Sequence, residues 1–198
     1  YLNSVNPEGG RGGGIFGAAS TTLSNSTLTR NYAAAGGGIY GGDDASISLV
    51  NSGVYDNSAM AGGGVFGGAN ASINLTDTTL AYNSAETGGG VFGDTGAALT
   101  LVNATLAGNY ARDNGGGLYG YANNPVTLTN STLTGNGAGA TGGGIYNQSG
   151  STTLVNSIVA GNYAAVSGSD LGSASSSLTL TGGNIIGSAP SSFTVTGS

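Results

Sequence analysis

The stretch TGGGVFG, Thr87 to Gly93, decides the fold. Glycine loses more backbone entropy on folding than any other residue, so a run of three weakens a chain unless geometry demands it. Here the run leads straight into Val91 and Phe92, a pair suited to a strand. The junction recurs as GGGIFG from Gly12, GGGIYG from Gly36, GGGVFG from Gly62, GGGVFG from Gly88, GGGLYG from Gly115 and GGGIYN from Gly142. The steps are 24, 26, 26, 27 and 27 residues. Self-similarity at such a period marks a solenoid, propeller or array.

A second register runs with the first. Leucines stand at Leu23, Leu49, Leu75, Leu101, Leu128, Leu154 and Leu180. Two residues on come Asn25, Asn51, Asp77, Asn103, Asn130, Asn156 and Gly182. Three further on is an aliphatic: Leu28, Val54, Leu80, Leu106, Leu133, Val159 and Ile185. Three beyond that are Asn31, Asn57, Asn83, Asn109, Asn136, Asn162 and Ser188. An alanine follows after one residue, from Ala33 to Ala164. Each period thus holds three short segments, and the alternation in ALTLVN (Ala98 to Asn103) is that of a strand. Nothing is long enough for a helix. The expected architecture is all-β: a single-stranded parallel β-helix of about seven coils, 24–27 residues each, with three short strands per coil. At one strand spacing per coil it is roughly 35 Å long.

The glycines then sit at a tight corner, where a side chain would stack on copies of itself in every coil. The column Asn25, Asn51, Asp77, Asn103, Asn130, Asn156 reads as an inward structural ladder, each amide bonding the coils above and below. Asn25, Asn103 and Asn130 fall in N-x-S/T triplets, which burial would close to glycosylation. Asn70, Asn74 and Asn147 are expected to be more exposed. The residues after the inward aliphatics, Phe16, Tyr40, Phe66, Phe92, Tyr119 and Tyr146, form an aromatic ladder. It is either an exposed interaction face or, if the chain bends there, part of the interior. The second strand's outer face carries Thr22, Ser48, Asn74, Thr100, Thr127, Thr153 and Thr179, a regular row of the kind that could bind ice or merely face solvent.

Composition narrows the function. Three Lys+Arg in 198 residues exclude the clustered basic contacts that nucleic acids need. No apolar run approaches the ~20 residues of a membrane-spanning helix. The chain has no Cys and no His, and a net charge of -6. Catalysis is poorly supported and no cofactor is expected. Glu86 and Asp113 share a slot two residues before the glycines of successive coils, with Arg112 and Asp94 nearby; this is the one candidate for a calcium or sugar site. Asp43 and Asp44 read as turn residues, and Arg30 and Asp56 as a surface pair.

The repeats GGGIY, L-x-N-S-T-L and N-x-A resemble those of right-handed parallel β-helices in the pectin-lyase-like superfamily. The resemblance is greatest to non-enzymatic bacterial surface proteins, the autotransporter adhesins and polymorphic outer-membrane proteins. It covers Gly12 to about Gly187, and NSIVAGNYA, SDLG and GGNIIG are similar to closing coils of large exported proteins. It implies the right-handed sense and an extracellular or cell-surface location. Residues 1–11 read as a leader or a strand for contact between subunits, 12–187 as the β-helix and 188–198 as a C-terminal strand or tail. No end cap is evident in the sequence. The expected function is structural: a solenoid that stacks head to tail on itself, or on further repeats of a longer chain, as a fibre, stalk or adhesin. A carbohydrate-binding or carbohydrate-cleaving β-helix and an ice-binding protein are the alternatives.

Overall fold

The computed structural model describes residues 3–4, 10–188 and 194–196. They form a parallel β-solenoid of about seven coils, with no helix among the described residues. The first sheet stacks the strands that follow the glycines, Ile15–Gly17, Ile39–Gly41, Val65–Gly67, Val91–Gly93 and Leu118–Gly120. The second stacks Ser20–Ser24, Ser46–Val50, Ser72–Thr76, Ala98–Val102 and Asn124–Thr129. The third stacks seven strands, from Thr27–Thr29 to Ile185–Ile186. In the last two full coils the first two strands merge into 11-residue strands, Ile145–Val155 and Leu171–Thr181. The earlier coils break there at left-handed Asp44, Asn70, Gly96 and Asn123. The sixth coil places Ser149 opposite Asn123, outside the left-handed region.

Pairing is in register throughout: Leu49, Leu75 and Leu101 are successive partners, as are Val54, Leu80 and Leu106. Like therefore packs on like, and the inward aliphatics from Ile39 to Leu178 make one continuous dry core. Each such side chain contributes about 1.5–3 kcal/mol by leaving water. One member of the expected third column is displaced. Ile185 pairs with Ile158 and is 58% exposed, whereas Ile186 pairs with Val159 and packs against the core. The corner at Gly182–Gly183 holds one more residue than its predecessors, which shifts every later residue by one. Ser188 is accordingly out of the asparagine column, opposite Gly161 by count from that register.

A fourth, shorter ladder was not expected. The N-x-A segments Ser84–Ala85, Tyr110–Ala111, Gly137–Ala138 and Tyr163–Ala164 pair as two-residue strands. Asn3–Ser4 pairs in the same way with Asn31–Tyr32, so this part of the expected leader belongs to the solenoid. At the other end Thr194–Thr196 pairs with the last long strand. The rest of residues 1–9 and 189–198 lie outside the described residues.

Two asparagine columns behave in opposite ways, and this corrects the sequence reading. Asn25, Asn51, Asp77, Asn103, Asn130 and Asn156 are exposed corner residues, with φ between 47° and 51°. Asparagine is among the few side chains that tolerate left-handed backbone. Gly182 takes the same slot at φ 73°. Their side chains touch along the surface only at Asn51–Asn25 (2.6 Å) and Asn103–Asp77 (3.0 Å). The inward ladder is the other column. The backbone N–H and Nδ2 of Asn83 both donate to Oδ1 of Asn109, at 3.0 and 2.9 Å, and Nδ2 also donates to the carbonyl of Val54. The pattern repeats from Asn31 to Asn162, all buried. It ends on Asp170, whose Oδ1 accepts from the N–H and Nδ2 of Asn162, both at 2.9 Å. Asp170 occupies the slot of the third glycine, and its carboxylate stands in for the next asparagine.

That ladder also explains the glycines. Gly88 has φ +63°. A Cβ on Gly90 would stand 2.5 Å from the Gly117 carbonyl and 3.2 Å from Cγ of Asn109. The run turns the corner and leaves room for the amide column.

Truncating the inner column leaves buried donors and acceptors unpaired, at about 1–3 kcal/mol each. Asn109→Ala is expected to lower unfolding free energy by at least about 3 kcal/mol in urea titration. Asn130→Gly, at an exposed left-handed corner, is expected to stay within about 1 kcal/mol of the parent.

Candidate functional site

The aromatic ladder faces outward. In the first sheet a Cβ on Gly41, Gly67 or Gly93 would collide with the side chains of Ile47, Ile73 or Leu99, so those glycines point inward. Ile39, Val65 and Val91 share that side, and the aromatic between each pair points out. The rings stack on one another: Phe16–Tyr40, Tyr40–Phe66, Phe66–Phe92 and Phe92–Tyr119 lie 5.0–5.3 Å apart at 4–8°. Tyr146 continues the column at 5.4 Å. Ring faces are thereby consumed within the stack. Tyr40 and Tyr119 are buried, while Phe16, at the start, is 57% exposed.

Beside that first ring is an open groove of about 330 Å³, lined by Arg11, Phe16, Tyr40, Asp43, Phe66 and Asp94. The Arg11 guanidinium lies 5.1 Å from the Tyr40 ring centroid, a cation–π contact. Asp43 Oδ1 accepts from the Ala69 N–H and Asp94 Oδ1 from the Thr95 N–H, so each carboxylate tethers a turn. A second open groove, about 380 Å³, follows the exposed corner at Asn25, Asn51 and Asp77.

Glu86 and Asp113 do lie in adjacent coils, since the Asp113 N–H donates to the Glu86 carbonyl at 2.8 Å. Arg112 faces Glu86 at 4.0 Å, and both side chains are largely exposed. This is the ion pair among the described residues; Arg30 and Asp56 share a column without forming one. Among the described residues no group of three or more His, Cys, Asp or Glu could hold a metal ion.

The glycosylation expectation is overturned at four of the six sites; Asn70 is exposed, as expected, and Asn74 is half-buried. Asn25, Asn103 and Asn130 are exposed, while Asn147 is fully buried. Asn147 and Asn124 fill the corner between the first two sheets. Their Nδ2 groups donate to the carbonyls of Asp94, Ala97, Asn124 and Ser151 and to Thr152 Oγ1. Their Oδ1 atoms have no protein partner, and a Cβ on Gly120 would meet Asn147 Oδ1 at 2.8 Å and Asn124 Cβ at 3.1 Å. The outer row of the second sheet is in register from Thr22 to Thr179.

Sequence reasoning missed a set of exposed tyrosines. Tyr82 lies two residues before the short fourth ladder and Tyr110 and Tyr163 lie within it, at 69%, 50% and 64% exposure. For Tyr82 the available signal was the column Arg30, Asp56, Tyr82, Gly108, Gly135, Gly161, where half the coils carry glycine. Every member has a positive φ, between 54° and 73°. A non-glycine residue in that region costs roughly 1–2 kcal/mol.

No protein-family model, no curated protein and no solved structure matches the chain. The β-solenoid fold therefore stands on the structure itself.

Burial, helped by the nearby Tyr146 and Tyr121, pushes the Tyr119 hydroxyl up to about 12; that hydroxyl donates to Gln148 Oε1 at 3.0 Å. The folded state holds this proton more tightly than the unfolded chain. The stabilisation is whole below pH 10 and is lost as pH rises from 10 through 12. Ultraviolet titration is expected to show Tyr119 ionising last, and Tyr119→Phe to flatten the fall in stability across that window.

Proposed function

We propose that this chain is a structural segment of an extracellular or cell-surface β-solenoid. Its coils continue end to end, with further repeats of a longer chain or with another copy, to make a stalk or fibre. The role is mechanical rather than catalytic. The observation that carries this reading is the inner asparagine ladder. Each amide accepts from the coil before it and donates to the coil after it, up to Asp170, which ends the row, so every inner coil is completed by neighbours of its own kind. The aromatic column supports the same reading, because its ring faces are spent on one another.

Stacking by pure translation gives an open, non-closing contact, and such contacts build filaments. Electron microscopy of the purified protein over a dilution series is expected to show filaments whose axial repeat equals one stacked chain. Discrete rods of one chain length at every concentration would refute assembly between copies, leaving a stalk segment within a longer chain.

A further inference from the structure

Counted by its glycine runs, the solenoid has its fourth coil from Gly88 and its fifth from Gly115. Where each coil enters the second sheet, one backbone bond ties it to the coil before. The Ser46 N–H donates to the Ala19 carbonyl, Ser72 to Ala45 and Ala98 to Ala71, at 2.7–2.8 Å. The fifth coil carries Pro125 at that register, and proline has no N–H to give. Asn124 replaces the lost donor. It is buried where earlier coils carry Ala45, Ala71 and Ala97. Its Nδ2 donates to the Ala97 carbonyl at 2.8 Å and to the Asp94 carbonyl at 2.7 Å. Those two bonds fix the orientation of the amide and leave its Oδ1 buried without a protein partner. The pairing is shorter too. Ala98–Val102 pairs along all five residues with the strand before it, but only Leu99–Val102 pairs with the strand after it. Asn147 Oδ1 is a second orphan one coil on, yet there Asn124–Thr129 pairs along its whole length.

In a solenoid each coil is held by its neighbours alone, so stability is set interface by interface. Contiguous units open in order of their local stability, the weakest first. We propose that the interface between the fourth and fifth coils is a built-in seam. There the solenoid parts into a four-coil and a three-coil block before either block unfolds. Each block keeps at least the three repeats that such a fold needs to stand. Proline is rare inside a central strand because it removes a ladder bond, and a buried acceptor without a donor adds to the weakness. Asn124 holds the seam closed, through a side chain where every other coil boundary in this sheet uses backbone. In a load-bearing shaft such a plane yields before any coil unravels; that consequence rests on the structural role proposed above, whereas the seam itself is a property of the fold.

The test is amide-resolved hydrogen exchange of the purified chain by NMR. The N–H groups of Val91, Asn103 and Thr132 donate across the seam, to the carbonyls of Gly117, Thr129 and Ala104. Their counterparts one interface earlier are Val65, Asp77 and Thr105, which donate to Gly90, Val102 and Thr78. In a stack of about seven coils these two interfaces lie equally far from the ends, so fraying affects both alike. Protection of the first set is expected to be at least about tenfold lower than that of the second. Asn124→Ala with Pro125→Ser copies Ala71 and Ser72, and is expected to bring the two sets within about twofold of each other. The ratio of the sets is the readout, because replacing proline also frees the unfolded chain and shifts the melting temperature. The reverse transplant, Ala97→Asn with Ala98→Pro, is expected to lower the second set to the level of the first. Equal protection of the two sets in the parent overturns the proposal. So does a difference that Asn124→Ala with Pro125→Ser leaves unchanged, or a folded transplant in which Val65, Asp77 and Thr105 stay as protected as in the parent. The exchange ratio reads the seam whether or not the chain forms filaments.

Discussion

Each side chain in this solenoid meets its own counterpart one coil away, at a spacing of about 4.8 Å set by parallel backbone hydrogen bonding. A residue type is tolerated only if it can lie against a copy of itself at that distance. Aliphatics pass by packing, aromatics by stacking, asparagine by donating with one end of its amide and accepting with the other. Glycine passes by having nothing to stack. A lone ionised group fails inside, which is why only 6% of the chain is charged and the buried carboxylate, Asp170, sits where it ends a row of amides.

The inner asparagine column is the clearest instance. Along its length Oδ1 takes two donors from one neighbouring coil, while Nδ2 gives one bond to the next asparagine and one to a backbone carbonyl. Such a row has a direction, and its last member needs an acceptor without further donors. An aspartate meets that need better than another asparagine, and here it comes from the slot of the third glycine. The change from GGG to GSD at Gly168–Asp170, visible in the sequence, acquires its reason in this contact.

The first sheet and the fourth ladder carry their aromatic rings differently. On the first sheet the rings occur in every coil from Phe16 to Tyr146 and cover one another. Along the fourth ladder tyrosines are intermittent and lean on glycine instead. Regular occurrence satisfies the stack; irregular occurrence leaves surface unspent. A repeat protein advertises its architecture in what recurs, and what departs from the repeat is the better guide to what it contacts.

Period, strand alternation and the three aliphatic columns were legible in the sequence because solenoid packing is local: each coil sees only its neighbours, and spacing alone names the partner. The parallel fold, the register from Leu23 to Leu180 and the crowded glycine corner follow from that. Which asparagine column faces inward was not legible. Both recur at the same period, and their difference is one of backbone sign: the exposed Asn25 column has left-handed φ, while no member of the buried Asn31 column has a positive φ. The outward aspect of the aromatics, the displacement of Ile185 and the leaning of Tyr82 over Gly108 likewise depend on where the backbone bends. Periodicity along a chain counts residues; only the folded corners decide which way each of them points.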